Sequence, residues 1–218
     1  SSDVCSSDLT ALVTLDAVLV KHQFPDEVAA TYAVLSVAGR SLFWATGAIT
    51  TVLLPVVARQ AGAGDRGRAS LWLGLAITFA VAGAGELAFL VAPSLIVGLL
   101  FGATYLGAAP LLPIFGLGSL SLSLASVVLT WLVAQGRQAG AVIVPIAALA
   151  QVAAILSGPD GLADALARIV AVNGATLAAL VAAALMRERA VERSRPVPDR
   201  KSTRLNSSHV ALSRMPSS

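Results

Sequence analysis

The sequence predicts an all-α integral membrane protein with about six transmembrane helices, the first of them truncated. Three observations carry this expectation. Hydrophobic residues make up 56% of the 218 positions and charged residues only 12%, with a mean hydropathy of +0.81. A water-soluble domain of this size needs more polar surface than that to cover its core. The apolar residues fall in long runs, most able to cross a hydrocarbon layer of about 30 Å at about 1.5 Å per residue, with short polar turns between them. Positive charge also collects on alternate turns, as it does where loops alternate between two sides of a membrane.

The two ends do not fit this pattern. Residues 1–8 and 201–218 are polar and patternless, and the strings VCSSDL and KSTRLNSSH within and beside them resemble translated sequencing-library adapter. Both ends are read as artefactual extensions and set aside. Cys5, the only cysteine, and His209 go with them, so no redox compartment follows from cysteine usage. The natural gene is then expected to run beyond one or both ends. Between Leu9 and Arg200 basic residues outnumber acidic ones by only two. The high pI therefore does not imply a nucleic-acid partner.

The first helix is expected over 9–22, as the second half of a span. Pro25 and the acidic pair Asp26 and Glu27 mark the turn into the next one. That helix, 28–57, holds a single charge, Arg40, near its middle. The loop after it is Gly-rich and carries Arg59, Arg66 and Arg68. A third helix, 70–92, is apolar apart from Glu86 and breaks at Pro93. Residues 94–102 read as a short re-entrant or interfacial turn, and 104–107 as a loop. The fourth helix, 108–134, has no charge, prolines near its start and a small-residue run suited to close helix approach. QGRQ makes a basic turn, 139–156 a fifth uncharged helix, and SGPDG a turn of strong chemistry. The sixth helix, 162–186, precedes a basic tail, 187–200. The arginines of the second–third loop, Arg137 and the tail put those segments on the cytoplasmic side.

Few residues offer chemistry. There is no phosphate-cradling glycine loop, no Cys/His metal set and no Ser–His–Asp arrangement; the run at 116–120 lacks the lysine a phosphate loop needs. The chain is accordingly not expected to be an enzyme. The candidates are charges at membrane depth. A guanidinium there costs about 2.5–3.5 kcal/mol on insertion scales, so Arg40 needs a partner or a task. Its planar fork suits an anionic ligand such as a lipid pyrophosphate, and a carboxylate partner or helix carbonyls would equally satisfy it. Asp16 is placed to pair with Arg40, to couple to protons or sodium, or to meet sugar hydroxyls. Glu86 is a second coupling candidate, although its position seven residues before Pro93 puts it within reach of an interface. Lys21 and His22, at a helix end, read as interfacial anchors. Trp72 and Trp131 sit near helix ends, as an aromatic belt requires; Trp44 does not, and is a candidate to stack against sugars.

TLDAVLVKH, PDEVAATYAVLSVAGRSLF, TVLLPVVARQ and APSLIVGLLFGATYLGAAPLL together resemble the C-terminal half of bacterial polysaccharide flippases. These O-antigen and exopolysaccharide translocases belong to the multidrug/oligosaccharidyl-lipid/polysaccharide exporter superfamily. The resemblance covers roughly 9–186. It implies one lobe of a two-lobed protein of twelve or more helices, in the bacterial inner membrane, flipping undecaprenyl-pyrophosphate-linked oligosaccharide. Arg40 stands where the family places cavity arginines that contact the lipid-linked pyrophosphate. The implied partners are that lipid-linked oligosaccharide, the bilayer and an N-terminal lobe of the same chain; no cofactor is implied beyond a coupling proton or sodium ion. FWAT follows Arg40 where lipid II flippases carry a proline, which points away from lipid II itself. The alternatives are a lipid II flippase or cation-coupled multidrug exporter of the same superfamily, a membrane-embedded polymerase or glycosyltransferase, and a non-transporting scaffold. The short internal loops disfavour the membrane enzyme.

Overall fold

Pro25 and Gly158 divide the chain as their chemistry requires. Helix α1, over 16–23, ends before Pro25, with the Phe24 amide donating to Val20 O at 3.0 Å. Helix α2, Asp26–Gly62, opens with Asp26 and Glu27 in its first turn, where carboxylates meet unpaired amides and the positive end of the helix dipole. The computed structural model describes residues 16–62, 68–136 and 139–193. Both expected extensions, residues 9–15, Arg66, Arg137 and 194–200 lie outside them. The described residues up to Ala184 form one compact unit and those from Leu185 belong to another. The helix packing and the cavity belong to the first.

All described elements are helical. Helix α3 is Arg68–Val91, and α4 is Pro93–Phe101 with its proline in the first turn, where the missing N–H is not needed. Gly102 ends α4 at φ 90°, a conformation that favours glycine, and its amide reaches back to Gly98 O. A 3-10 segment, Ala103–Leu111, leads into α5, Leu112–Ala134. Helix α6 is Ala139–Leu156; a turn with Gly158 at φ 69° then starts α7, Leu162–Arg193. The segment expected as a re-entrant turn is thus a helix, and the expected loop at 104–107 is a 3-10 turn that prolongs α5.

Among the described residues, four stretches are long and apolar enough to cross a membrane: Asp26–Ala48, Leu71–Val91, Ala103–Ala134 and Leu162–Met186. The fifth expected crossing is shorter than the others. Pro145 lies inside α6, whose 18 described residues fall a little short of the roughly 20 that span hydrocarbon.

Helix α5 is the centre of the packing. Of its span 61% is buried, against 28–39% for the other three. It packs against both α2 and α3, which also touch each other. Its lack of charge reflects this position: it meets protein on most sides. Where helices pack inside a membrane, close approach and dispersion replace the hydrophobic effect as the driving force, so small residues set the distances. Phe115 of α5 fills the space left by Gly39 of α2, and Leu42 of α2 that left by Gly85 of α3; a side chain on either glycine would overlap it.

The buried apolar residues form two groups. One joins Val20, Tyr32, Leu35, Leu112, Phe115, Ile155, Leu166 and Ile169. The other joins Leu122, Val128, Leu132, Val144, Ala147, Leu180 and Ala184. On α5, α6 and α7, Ser119, Gln151, and Asn173 with Thr176 are buried polar residues that lie between the two, while Ser123 and Ser126 of α5 are buried along the stretch of the second group. A polar layer thus separates two apolar ones. Trp131 belongs to the second apolar group at 1% exposed, so it is a core residue and not part of an interfacial belt. Trp72, at 68% exposed, does lie on the outer surface, with Leu87, Leu90, Leu95 and Leu99. Such an apolar exterior suits lipid contact.

Candidate functional site

The site begins with three residues on two helices. Asp16 lies on α1; Tyr32 and Arg40 lie eight positions apart on α2, hence on one face, two turns from each other. Helical side chains lean toward the N-terminus, so Arg40 reaches back in the direction of Tyr32. Both meet the same carboxylate. Tyr32 donates its hydroxyl to Asp16 Oδ2 at 2.5 Å, and Arg40 donates Nη2 to Asp16 Oδ1 at 2.8 Å. The Ala17 amide donates to Oδ1 as well, at 2.7 Å. Asp16 is buried, and the Arg40 side chain keeps 22% exposure. An ion pair in such surroundings persists only when further hydrogen bonds complete the carboxylate's shell, and here three donors do so.

Helix α5 holds this arrangement in place. Phe115 packs edge-to-face on Tyr32, with centroids 5.7 Å apart and planes at 72°. The same ring occupies the notch at Gly39, one residue before Arg40.

Arg40 is not used up by Asp16. Its Nε is buried and has no hydrogen-bond partner among the described residues. Arg40 and Asp16 line a cavity of about 30 Å³, with Phe43, Ser119, Gln151 and Asn173 on its other walls. That is room for a water or two, above the roughly 10–15 Å³ that one water needs. Asn173 donates to Gly118 O at 3.5 Å, and its Oδ1 has no partner among the described residues. Arg40 and Asn173, both in the cavity wall, thus each carry a buried polar atom that has no partner among the described residues. The cavity lies within the polar layer, at mid-height of the helices, where transporter substrate sites lie.

The expected residues separate in the structure. Asp16 and Arg40 come together as an ion pair. Trp44 does not join them: it is 59% exposed, edge-to-face on Phe43, and it is Phe43 that lines the cavity. Glu86 is not among the residues that line the cavity. It is 7% exposed, and position 86 shares its helix face with Thr78 and Ala82, which are also buried. Lys21 and His22 are exposed at the end of α1, as anchors require. Arg168 bonds Asp164 and the end of α6, through Ser157 Oγ and Ala154 O, and so closes a turn.

Tyr32, Gln151 and Asn173 do not stand out in the sequence as site residues. The signal for them is weak: Tyr32 stands at i, i+8 from Arg40, and Gln151 and Asn173 are single amides within long apolar runs.

Compared with protein-family models, characterised proteins and solved structures, the chain matches none.

Proposed function

We propose that this chain is a lobe of an inner-membrane flippase that moves undecaprenyl-pyrophosphate-linked oligosaccharide between leaflets. One observation carries the reading: Arg40 lies near the middle of an apolar helix, paired through one nitrogen to Asp16, with Nε lacking a partner among the described residues and a cavity beside the side chain. A purely structural arginine would have its donors satisfied, because each unmet buried donor costs about 1–3 kcal/mol. A guanidinium with a spare donor, in the wall of a mid-height cavity, is suited to receive a phosphate oxygen. The sequence resemblance supplies the class of anion. In this mechanism the lobes rock about the midplane site. Asp16 and Tyr32 hold the guanidinium in one orientation, and Arg40 engages the pyrophosphate as it passes.

The test is flipping of a fluorescent lipid-linked oligosaccharide by the gene product in vesicles. A charge-assisted hydrogen bond is worth about 1.5–3 kcal/mol, so Arg40→Ala should lower transport by roughly 10- to 100-fold. Arg40→Lys, which keeps charge without the fork, should fall between. Wild-type flipping by Arg40→Ala would remove Arg40 from the mechanism.

A further inference from the structure

Glu86 is a carboxyl that the ion-pair site does not use. It is 7% exposed on α3, and its Oε2 is buried without a hydrogen-bond partner among the described residues. The space it fills exists because α5 carries Gly116 opposite: a Cβ at Gly116 would overlap Oε2 and press on the Phe89 ring. Two turns back on the same face, Thr78 Oγ1 is also buried without a partner among the described residues. One face of α3 therefore buries two oxygens that are unmet among the described residues, and Gly116 places that of Glu86 at the seam with α5. Such groups are rare in settled packing and call for an explanation.

Among the described residues, no cation is recorded beside Glu86 to balance a charge there. Helix α5 has no ionisable residue, nor does α4. The 3-10 segment offers Tyr105, which is exposed. On α2, Tyr32 and Arg40 both bond Asp16, while Asp26 and Glu27 are exposed at its start and Arg59 lies near its far end. The other charge on α3, Arg68, is at its first residue, roughly 27 Å along the axis from Glu86. An isolated carboxylate in this seam is strongly disfavoured, whereas a neutral carboxylic acid fits the notch.

We propose that Glu86 is a proton-binding site that latches α3 onto α5: the neutral acid fills the Gly116 notch, and loss of its proton opens the seam. In that step the O–H bond of the Glu86 carboxyl breaks, the proton passes to water entering beside Gly116, and the carboxylate left behind is hydrated. The latch rests on α3 and α5 alone and does not depend on what Arg40 binds.

Spin labels test it in the whole chain reconstituted in phospholipid vesicles. Leu87 and Leu117, exposed at 60% and 49%, flank Glu86 and Gly116. With Cys5→Ser, Leu87→Cys and Leu117→Cys, the dipolar distance between labels should be short at acidic pH and lengthen by several ångströms at alkaline pH. Glu86→Gln, which cannot ionise, should hold the short distance throughout. Gly116→Ala, which fills the notch, should give the long distance at every pH. A distance that ignores pH, or a pH response that survives in either variant, would overturn the proposal. Infrared spectra give a reading independent of the labels: a protonated-carboxyl carbonyl band at neutral pH should be present in the unsubstituted chain and lost in Glu86→Gln. A spectrum without that difference overturns it equally.

Discussion

Asp16 takes one donor from its own helix and two from α2, and the two from α2 differ in what they contribute. Tyr32 is a neutral donor; Arg40 brings the compensating charge. Removing either member of a buried ion pair strands the other, at about 3–5 kcal/mol, while replacing both with apolar residues of similar volume can cost little. The double substitution Asp16→Leu/Arg40→Met should therefore be more stable than either single change, read by thermal unfolding in detergent. If the two losses simply add, the pair is not coupled as its geometry implies. Tyr32→Phe should cost only about 1 kcal/mol, since hydrogen bonds between membrane helices average about 0.6 and reach about 1.7. The same difference explains what is legible in the sequence. Asp16 and Arg40 stand out as charges because the membrane makes charges expensive. Tyr32, Gln151 and Asn173 are neutral, cost less, and gain meaning only once packing brings Tyr32 to Asp16 and turns Gln151 and Asn173 to the cavity. Trp44 illustrates the converse: a conspicuous residue one turn from Arg40 that the packing leaves on the outside.

At the scale of elements, the seams are set by glycines that receive a neighbour's side chain. Gly39 takes Phe115, Gly85 takes Leu42, and Gly116 takes Glu86. Gly174, within α7, meets nothing within 4 Å of where its Cβ would stand. Substitution to alanine should sort them. Gly39→Ala must displace an aromatic ring held against Tyr32, and overpacking of this kind typically costs about 1–3 kcal/mol. Gly174→Ala meets open space and should gain up to about 1 kcal/mol from helix propensity. Unfolding midpoints of the two variants check this; equal effects would mean that the notches are not filled as described. Helix positions are legible because apolar runs and Pro/Gly punctuation bracket them, and the turn at Gly158 falls where its sequence predicts. Packing partners are not legible. An uncharged run reads the same whether it faces lipid or protein, which is why nothing in the sequence distinguishes the central α5 from the short α6. Trp131 escapes sequence reasoning for the same cause: nearness to a helix end says nothing of the face, and its face is the core.

In the whole molecule, the arrangement of two apolar groups around a polar layer recurs on three helices that share no motif. Ser119 on α5, Gln151 on α6 and Asn173 on α7 each fall between residues of the two groups, although α6 runs in the opposite order through them. Each helix alone shows an inconspicuous polar residue; together they place polarity at one depth, level with Arg40. A layer of this kind is costly in lipid unless it meets water or a ligand, since every unpaired polar group there forfeits its hydration. Water should therefore reach this depth from the cavity and not from the lipid face. Cysteine chemistry can measure that, because a thiol reacts as the thiolate, which forms only where water reaches. In a Cys5→Ser background reconstituted in vesicles, Ser119→Cys should react with a small charged methanethiosulfonate. Leu90→Cys, 58% exposed on the outer apolar surface, should not react, and Ser126→Cys, two turns beyond Ser119 and outside the cavity lining, should react far more slowly. Protection of Ser119→Cys by added inorganic pyrophosphate would tie the wet cavity to the anion that Arg40 is proposed to bind. A Ser119→Cys no more reactive than Leu90→Cys would make the layer a dry structural seam and leave Arg40 as a helix-pairing residue.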